Sequence, residues 1–170
     1  HNYGSVYVMT ARMPKTPRTW NGNTQNQPAD MRYMSICTAG ALSASVTPDC
    51  AYDEQILPSV DAETGRFAVV ISRGDERPKN ATSECGVVWL DAGNGDGLPS
   101  GSSDYMFLIN RNTQVSPEFK HSWFSVLKRG GEKEAMGDYL PYALNLKTQK
   151  NFESLGCPVD KKKLWAMLPR

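Results

Sequence analysis

Histidine is scarce in this sequence. His1 and His121 are the only two in 170 residues, so any chemistry that runs through imidazole must use one or both. No Cys-x-x-Cys pair occurs among the cysteines at 37, 50, 85 and 157, which leaves zinc ribbons, c-type haem attachment and thioredoxin chemistry without support. No Gly-x-Ser-x-Gly elbow is present. Charge of one sign is lacking as well: 19 basic against 18 acidic residues give a formal net charge of +1. With no arginine-rich stripe, there is no electrostatic footprint for nucleic acid. No apolar run approaches the roughly 18 residues of a membrane-spanning helix, and residues 1–20 hold no uninterrupted apolar core of the kind a signal peptide has. The chain starts at His1 rather than Met, which reads as a mature or trimmed product.

What is present fits an exported protein. A chain of this length is one domain with room for a real core. Four cysteines fit two disulfides and a periplasmic or extracellular location. The 14 glycines and 11 prolines are spread along the chain as turns rather than gathered into a linker.

The stretch around which the chain is organised runs from Met31 to Ile56. Residues 31–37 and 50–56 read as two short strands flanking a loop of small and polar residues. Alternation sets Met34 and Ile36 on one face, with Tyr33, Ser35 and Cys37 on the other. Four cysteines allow three pairings. Cys37–Cys50 with Cys85–Cys157 is the expected one, because the first pair flanks the hairpin loop and the second would tie the end of the last helix to a central strand.

The core strands are expected at 6–13, 32–37, 66–72, 86–90 and 105–111, with Phe67, Val69, Ile71, Val88, Phe107 and Ile109 mostly buried. Residues 61–65, Asp-Ala-Glu-Thr-Gly, read as a hairpin turn closing on Gly65. Ser116-Pro117-Glu118 is a helix start, with a hydroxyl N-cap, proline at the first position and an acid near the positive end. Phe119, Trp123, Val126 and Leu127 then fall on one helical face, and Gly130-Gly131 would end it. Glu132 to Met136 adds a single turn. Thr148 caps a further short helix packed through Phe152 and Leu155 and ended by Gly156. The fold class is therefore mainly β: an antiparallel, jelly-roll-like β-sandwich over residues 1–157 with two or three short C-terminal helices, then a tail, 158–170.

Several motifs occur together and in order: Pro14-Lys-Thr-Pro-Arg-Thr-Trp20, Arg32-Tyr-Met-Ser-Ile-Cys37, Asp49-Cys-Ala-Tyr-Asp-Glu-Gln55, Val70-Ile-Ser-Arg73 with Arg77-Pro-Lys-Asn-Ala81, Glu84-Cys-Gly-Val-Val-Trp-Leu90, Met136-Gly-Asp-Tyr-Leu-Pro141 and Phe152-Glu-Ser-Leu-Gly-Cys157. Through them the chain resembles the C-terminal half of an uncharacterised family of exported bacterial proteins. More distantly, it is similar to paired β-sandwich domains of bacterial envelope proteins. The resemblance spans Tyr3 to Cys157. It implies that another strand, and often another domain, precedes Tyr3, and that the tail lies beyond the usual end. The family has no established catalytic residues, so none are carried over.

The candidate chemistries are few. Asp91, Asn94 and Asp96 offer oxygen ligands for calcium among glycines, but Asp91 and Asn94 are three apart where calcium loops use every second residue, so a plain turn is preferred. His1 and His121 are weak candidates for copper, with Tyr139 as an axial ligand. Asp53 and Glu54 are adjacent on a strand and so point to opposite faces, which suits an interaction with Arg32 better than a catalytic pair. Trp20 reads as a loop anchor tucked against the sheet, with sugar stacking as the alternative. Arg73-Gly-Asp75 carries almost no weight, and Asn80-Ala-Thr82 is a glycosylation sequon usable in a host that glycosylates. In the tail, Lys161, Lys162 and Lys163 precede the apolar Leu164, Trp165, Met167 and Leu168. The cluster either folds back over a sheet edge or the gap of a missing first strand, or docks on a partner protein, a neighbouring subunit or an anionic membrane surface, and docking is the preferred reading. The expected function is a non-catalytic exported module serving a larger envelope protein or assembly, with no cofactor and no nucleic acid. The alternatives are a copper oxidoreductase and a carbohydrate-binding module.

Overall fold

The computed structural model describes residues 5–20, 22, 28–40, 46–93 and 106–169. Its strands are β1 (Tyr7–Thr10), β2 (Met31–Gly40), β3 (Asp49–Tyr52), β4 (Val69–Ser72), β5 (Val88–Asp91), β6 (Met106–Val115) and β7 (Tyr142–Asn145), with short helices α1 (Asp53–Ile56), α2 (Glu132–Met136), α3 (Gln149–Glu153) and α4 (Lys161–Trp165). The strands form two sheets, one ordered β5-β4-β1-β7 and one ordered β3-β2-β6.

Side-chain alternation decides which layer each residue joins. In β4 all four residues are buried, the signature of a strand covered on both faces. Val69 and Ile71 join Met9, Met34, Ile36 and Phe67 in the core shared by the two sheets. Val70 points the other way and meets Val8, Leu144, Phe152, Leu155 and Leu164 in a second core under α3 and α4. Each large side chain so buried contributes about 1.5–3 kcal/mol.

Both expected disulfides are formed. Cys37 and Cys50 face each other across β2 and β3, and Cys85–Cys157 closes a separation of 72 residues. The turn before β4 also forms as expected: Asp61 Oδ1 accepts the amides of Glu63 and Thr64, and Gly65 takes the positive φ of +68° that its place requires. Thr148 caps α3 by accepting from the Asn151 amide, and Phe152 is fully buried.

Several expectations are corrected. The sheets are not wholly antiparallel, since β4 and β5 run parallel; the connection 73–87 is long enough to cross over the sheet, as parallel pairing demands. Residues 53–56 form α1 rather than continuing a strand. No helix fills 117–129, where one 3-10 turn, Trp123–Ser125, is the regular element among the described residues. Phe119 is buried against Tyr139, whereas Leu127 is 95 % exposed, so these residues do not share a buried face. Phe107 is 58 % exposed because the inward positions of β6 are Met106 and Leu108, one residue out of phase with the expected set. Trp20 is exposed rather than tucked against the sheet. The segment 158–169 is no separate tail: Val159 and Leu164 complete the second core, with Trp165 and Leu168 packed on it.

Candidate functional site

Strand β6 pairs with β2 alone and β7 with β1 alone among the described residues, so each sheet presents an edge on the same side of the molecule. Between those edges lies an open groove of about 550 Å³, walled by Phe107, Leu108 and Ile109 of β6, Tyr142 of β7, Met9 and Trp123. Its lining is apolar apart from Asn110.

The sequence of β6 builds this wall. Register puts Asn110 opposite Ile36 and Asn112 opposite Met34, and both partners face the shared core. Asn110 and Asn112 therefore turn their carboxamides inward, and the Oδ1 of each is buried without a hydrogen-bond partner. Both line a second, small cavity of about 20 Å³, the size of one water. Asn110 borders the groove and the cavity alike.

An aromatic cluster closes the far wall of the small cavity. Phe119 meets Tyr139 edge to face at 4.9 Å, His121 stacks on Tyr139 at 5.5 Å, and the Arg12 guanidinium sits 5.9 Å from the same ring. Burial lifts the Tyr139 hydroxyl above its ordinary value, with Arg12 acting the other way. His121 Nδ1 lies 3.2 Å from the carbonyl oxygen of Ala135. Stacked rings present faces to each other, not a nitrogen and an oxygen converging on one point, so His121 and Tyr139 are not posed as joint metal ligands.

The remaining predicted residues are distributed as follows. His1, Asn94 and Asp96 lie outside the described residues. Asp91 ends β5 and accepts the Gly93 amide at 2.8 Å. Gly93 itself closes the turn, because a Cβ there would stand 2.6 Å from Pro48 Cγ. Among the described residues no group of three or more His, Cys, Asp or Glu is placed to hold a metal. Asp53 accepts the amides of Met34 and Glu54, Glu54 accepts the Trp20 amide at 2.8 Å, and Asp49 receives those of Cys50 and Asp91. Burial raises the Asp53 carboxyl above its ordinary value. These carboxylates hold backbone in place. Asn80 of the sequon is buried, its Nδ2 donating to the carbonyls of Phe152 and Gly156.

In the 158–169 segment, Lys161 donates to the Ser59 carbonyl at 2.7 Å, Trp165 donates to Asp61, and Leu164 is wholly buried. Lys162, Lys163 and Met167 are left on the surface. The set proposed for docking thus divides between core and solvent.

Sequence reasoning missed the groove. Arg111 carried the usable signal. A guanidinium without a buried partner must face water, and Phe107 and Ile109 share its parity, so Leu108 and the two asparagines had to face inward. No family model, no curated protein and no solved structure matches this chain. Function therefore rests on the geometry.

Proposed function

We propose that the chain is an exported, non-catalytic β-sandwich module, jelly-roll-like in design, acting as an accessory or structural part of a larger envelope protein or membrane-associated assembly. Its working surface is the groove between β6 and β7, and its partner there is an extended apolar segment of another protein or subunit. The observation that carries this reading is that, among the described residues, two strand edges without a second neighbour flank one apolar groove. A segment laid into the groove can pair its backbone with a strand edge while alternate side chains enter the apolar wall. Two disulfides favour a periplasmic or extracellular setting, and the motif resemblance to envelope proteins points the same way.

Selection from a displayed library of short linear peptides tests it. Binders with alternating apolar residues are expected, and Phe107→Glu should weaken them about tenfold or more, the equivalent of about 1.4 kcal/mol, at unchanged melting temperature. An absence of binders, or binders indifferent to Phe107→Glu, would overturn the reading.

A second reading rests on Trp20, which is 80 % exposed and whose ring lies 6.1 Å from that of Tyr52 at a tilt of 46°. An open aromatic face of this kind can stack on a sugar ring. Oligosaccharide titration followed by tryptophan emission, with Trp20→Ala as control, decides it; an unchanged spectrum removes the carbohydrate reading.

A further inference from the structure

The segment 119–131, which leads from β6 toward α2, combines two properties that the fold does not use. The first is charge. Lys120 donates to the Pro117 carbonyl, which leaves Lys128 and Arg129 as the charges in question, with no acid between Glu118 and Glu132. The flanking acids are themselves engaged, Glu118 by the Ser116 hydroxyl and Glu132 by the Gly130 amide. The second is exposed apolar surface. Phe119 turns into the core, but Phe124 is 74 % exposed and Leu127 95 %, with Trp123 partly exposed beside them.

These side chains project from turns. Trp123–Ser125 is a 3-10 turn, and the Gly131 amide closes a second turn on the Lys128 carbonyl at 3.1 Å. Left in water, Phe124 and Leu127 contribute nothing to stability. Aromatic residues and arginine suit a protein contact as well as a membrane, while lysine is depleted at protein–protein contacts; what favours a bilayer is the cationic rim around protruding aromatic and aliphatic groups, which complements a negatively charged surface.

We propose that the 119–131 segment seats the protein on an anionic lipid surface. Phe124 and Leu127 enter the headgroup boundary, Trp123 lies at the polar interface, and Lys128 and Arg129 face lipid phosphates. The seat adjoins the groove, since Trp123 lines it, but it does not depend on a peptide binding there, and Phe107 is left untouched in its test.

The experiment is vesicle co-sedimentation of the intact chain with mixed phosphatidylglycerol–phosphatidylcholine vesicles and with pure phosphatidylcholine. Binding is expected to the anionic vesicles alone and to weaken as salt rises. Lys128→Gln with Arg129→Gln should lower partitioning about thirtyfold, from about 1 kcal/mol per cation near an anionic surface. Phe124→Ser with Leu127→Ser should lower it about tenfold or more. All four positions are exposed, so circular dichroism and melting temperature are expected to stay unchanged. Equal binding to neutral vesicles, no binding to either kind, or a serine variant that binds vesicles normally while losing a protein partner would each overturn the proposal.

Discussion

Trp165 donates its indole N–H to the Asp61 carboxylate at 2.8 Å, joining the last helix to the turn that precedes β4. Two neighbours in sequence strengthen the junction: Lys161 reaches the Ser59 carbonyl and Leu164 fills the second core. Leu164→Ala is expected to cost about 2–5 kcal/mol, the range for emptying a fully buried leucine site. Urea unfolding measures it, and a loss below about 1 kcal/mol would mean that 158–169 is not integral.

The same junction sets a pH dependence. Burial works against the Asp61 carboxylate, but the Trp165 indole, the amides of Glu63 and Thr64 and the Lys161 charge together hold its pKa below the ordinary value. A carboxyl depressed in the folded state contributes stability above its unfolded pKa of about 3.9 and loses it as pH falls through the folded value. Wild type should therefore exceed Asp61→Asn in stability at neutral pH, with the gap narrowing below about pH 3.9. A gap that stays constant across the acid range would contradict this.

The two disulfides should differ in worth. Closing 72 residues in the unfolded chain removes more entropy than closing 13. Replacing Cys85 and Cys157 by alanine is expected to cost about 4 kcal/mol, and replacing Cys37 and Cys50 about 3 kcal/mol. Denaturant melts of the two double variants check the order, and a reversed order would rule out loop closure as the dominant effect.

Asn80 serves as a bracket, not as a glycan acceptor. Its Nδ2 bonds the carbonyls of Phe152 and Gly156; the Phe152 carbonyl also takes the Leu155 amide, so Asn80→Ala should cost about 1–3 kcal/mol by removing the Asn80 donor from the part-buried Gly156 end of the bracket. When the protein is secreted from a glycosylating host, intact mass of the folded fraction should show Asn80 unmodified. A stable glycosylated form would refute the bracket.

Phe67 and Phe107 make a matched pair. Phe67 is 1 % exposed and Phe107 58 %. Phe67→Ala is expected to cost about 3–5 kcal/mol, and Phe107→Ala less than about 1 kcal/mol. Similar losses at both positions would place Phe107 inside the core.

Much of this architecture was legible in residue order. The apolar run of β4 announced a central strand, Thr148 to Gly156 announced a capped helix, and the cysteine spacing led to the pairing observed. Other features were not, for physical reasons that differ. Ser116-Pro117-Glu118 carries every mark of a helix start, yet capping governs one turn and tertiary burial governs the rest. Phe119 is drawn against Tyr139, and Trp123, Phe124 and Leu127 have no core to face. In β6 both phases of the alternation are apolar, so Phe107 and Leu108 competed on equal terms until Arg111 is weighed. Leu164 could not be placed from sequence at all, because the second core it enters is assembled from segments spread between Val6 and Leu164. The groove belongs to the same class: its walls come from β1, β6 and β7, and no local pattern encodes their meeting.

The pairing of β1 with β7 also governs assembly in time. Tyr7 stands opposite Asn145, 138 positions later in the chain. A polypeptide emerging amino end first releases β1 well before β7, so one flank of that apolar strand stays uncovered until the residues between them have followed. Contacts this distant in sequence make for slow closure and a long interval in which strands can pair wrongly. The protein's need for a holding chaperone during maturation should therefore be set less by its final stability than by the wait for β7.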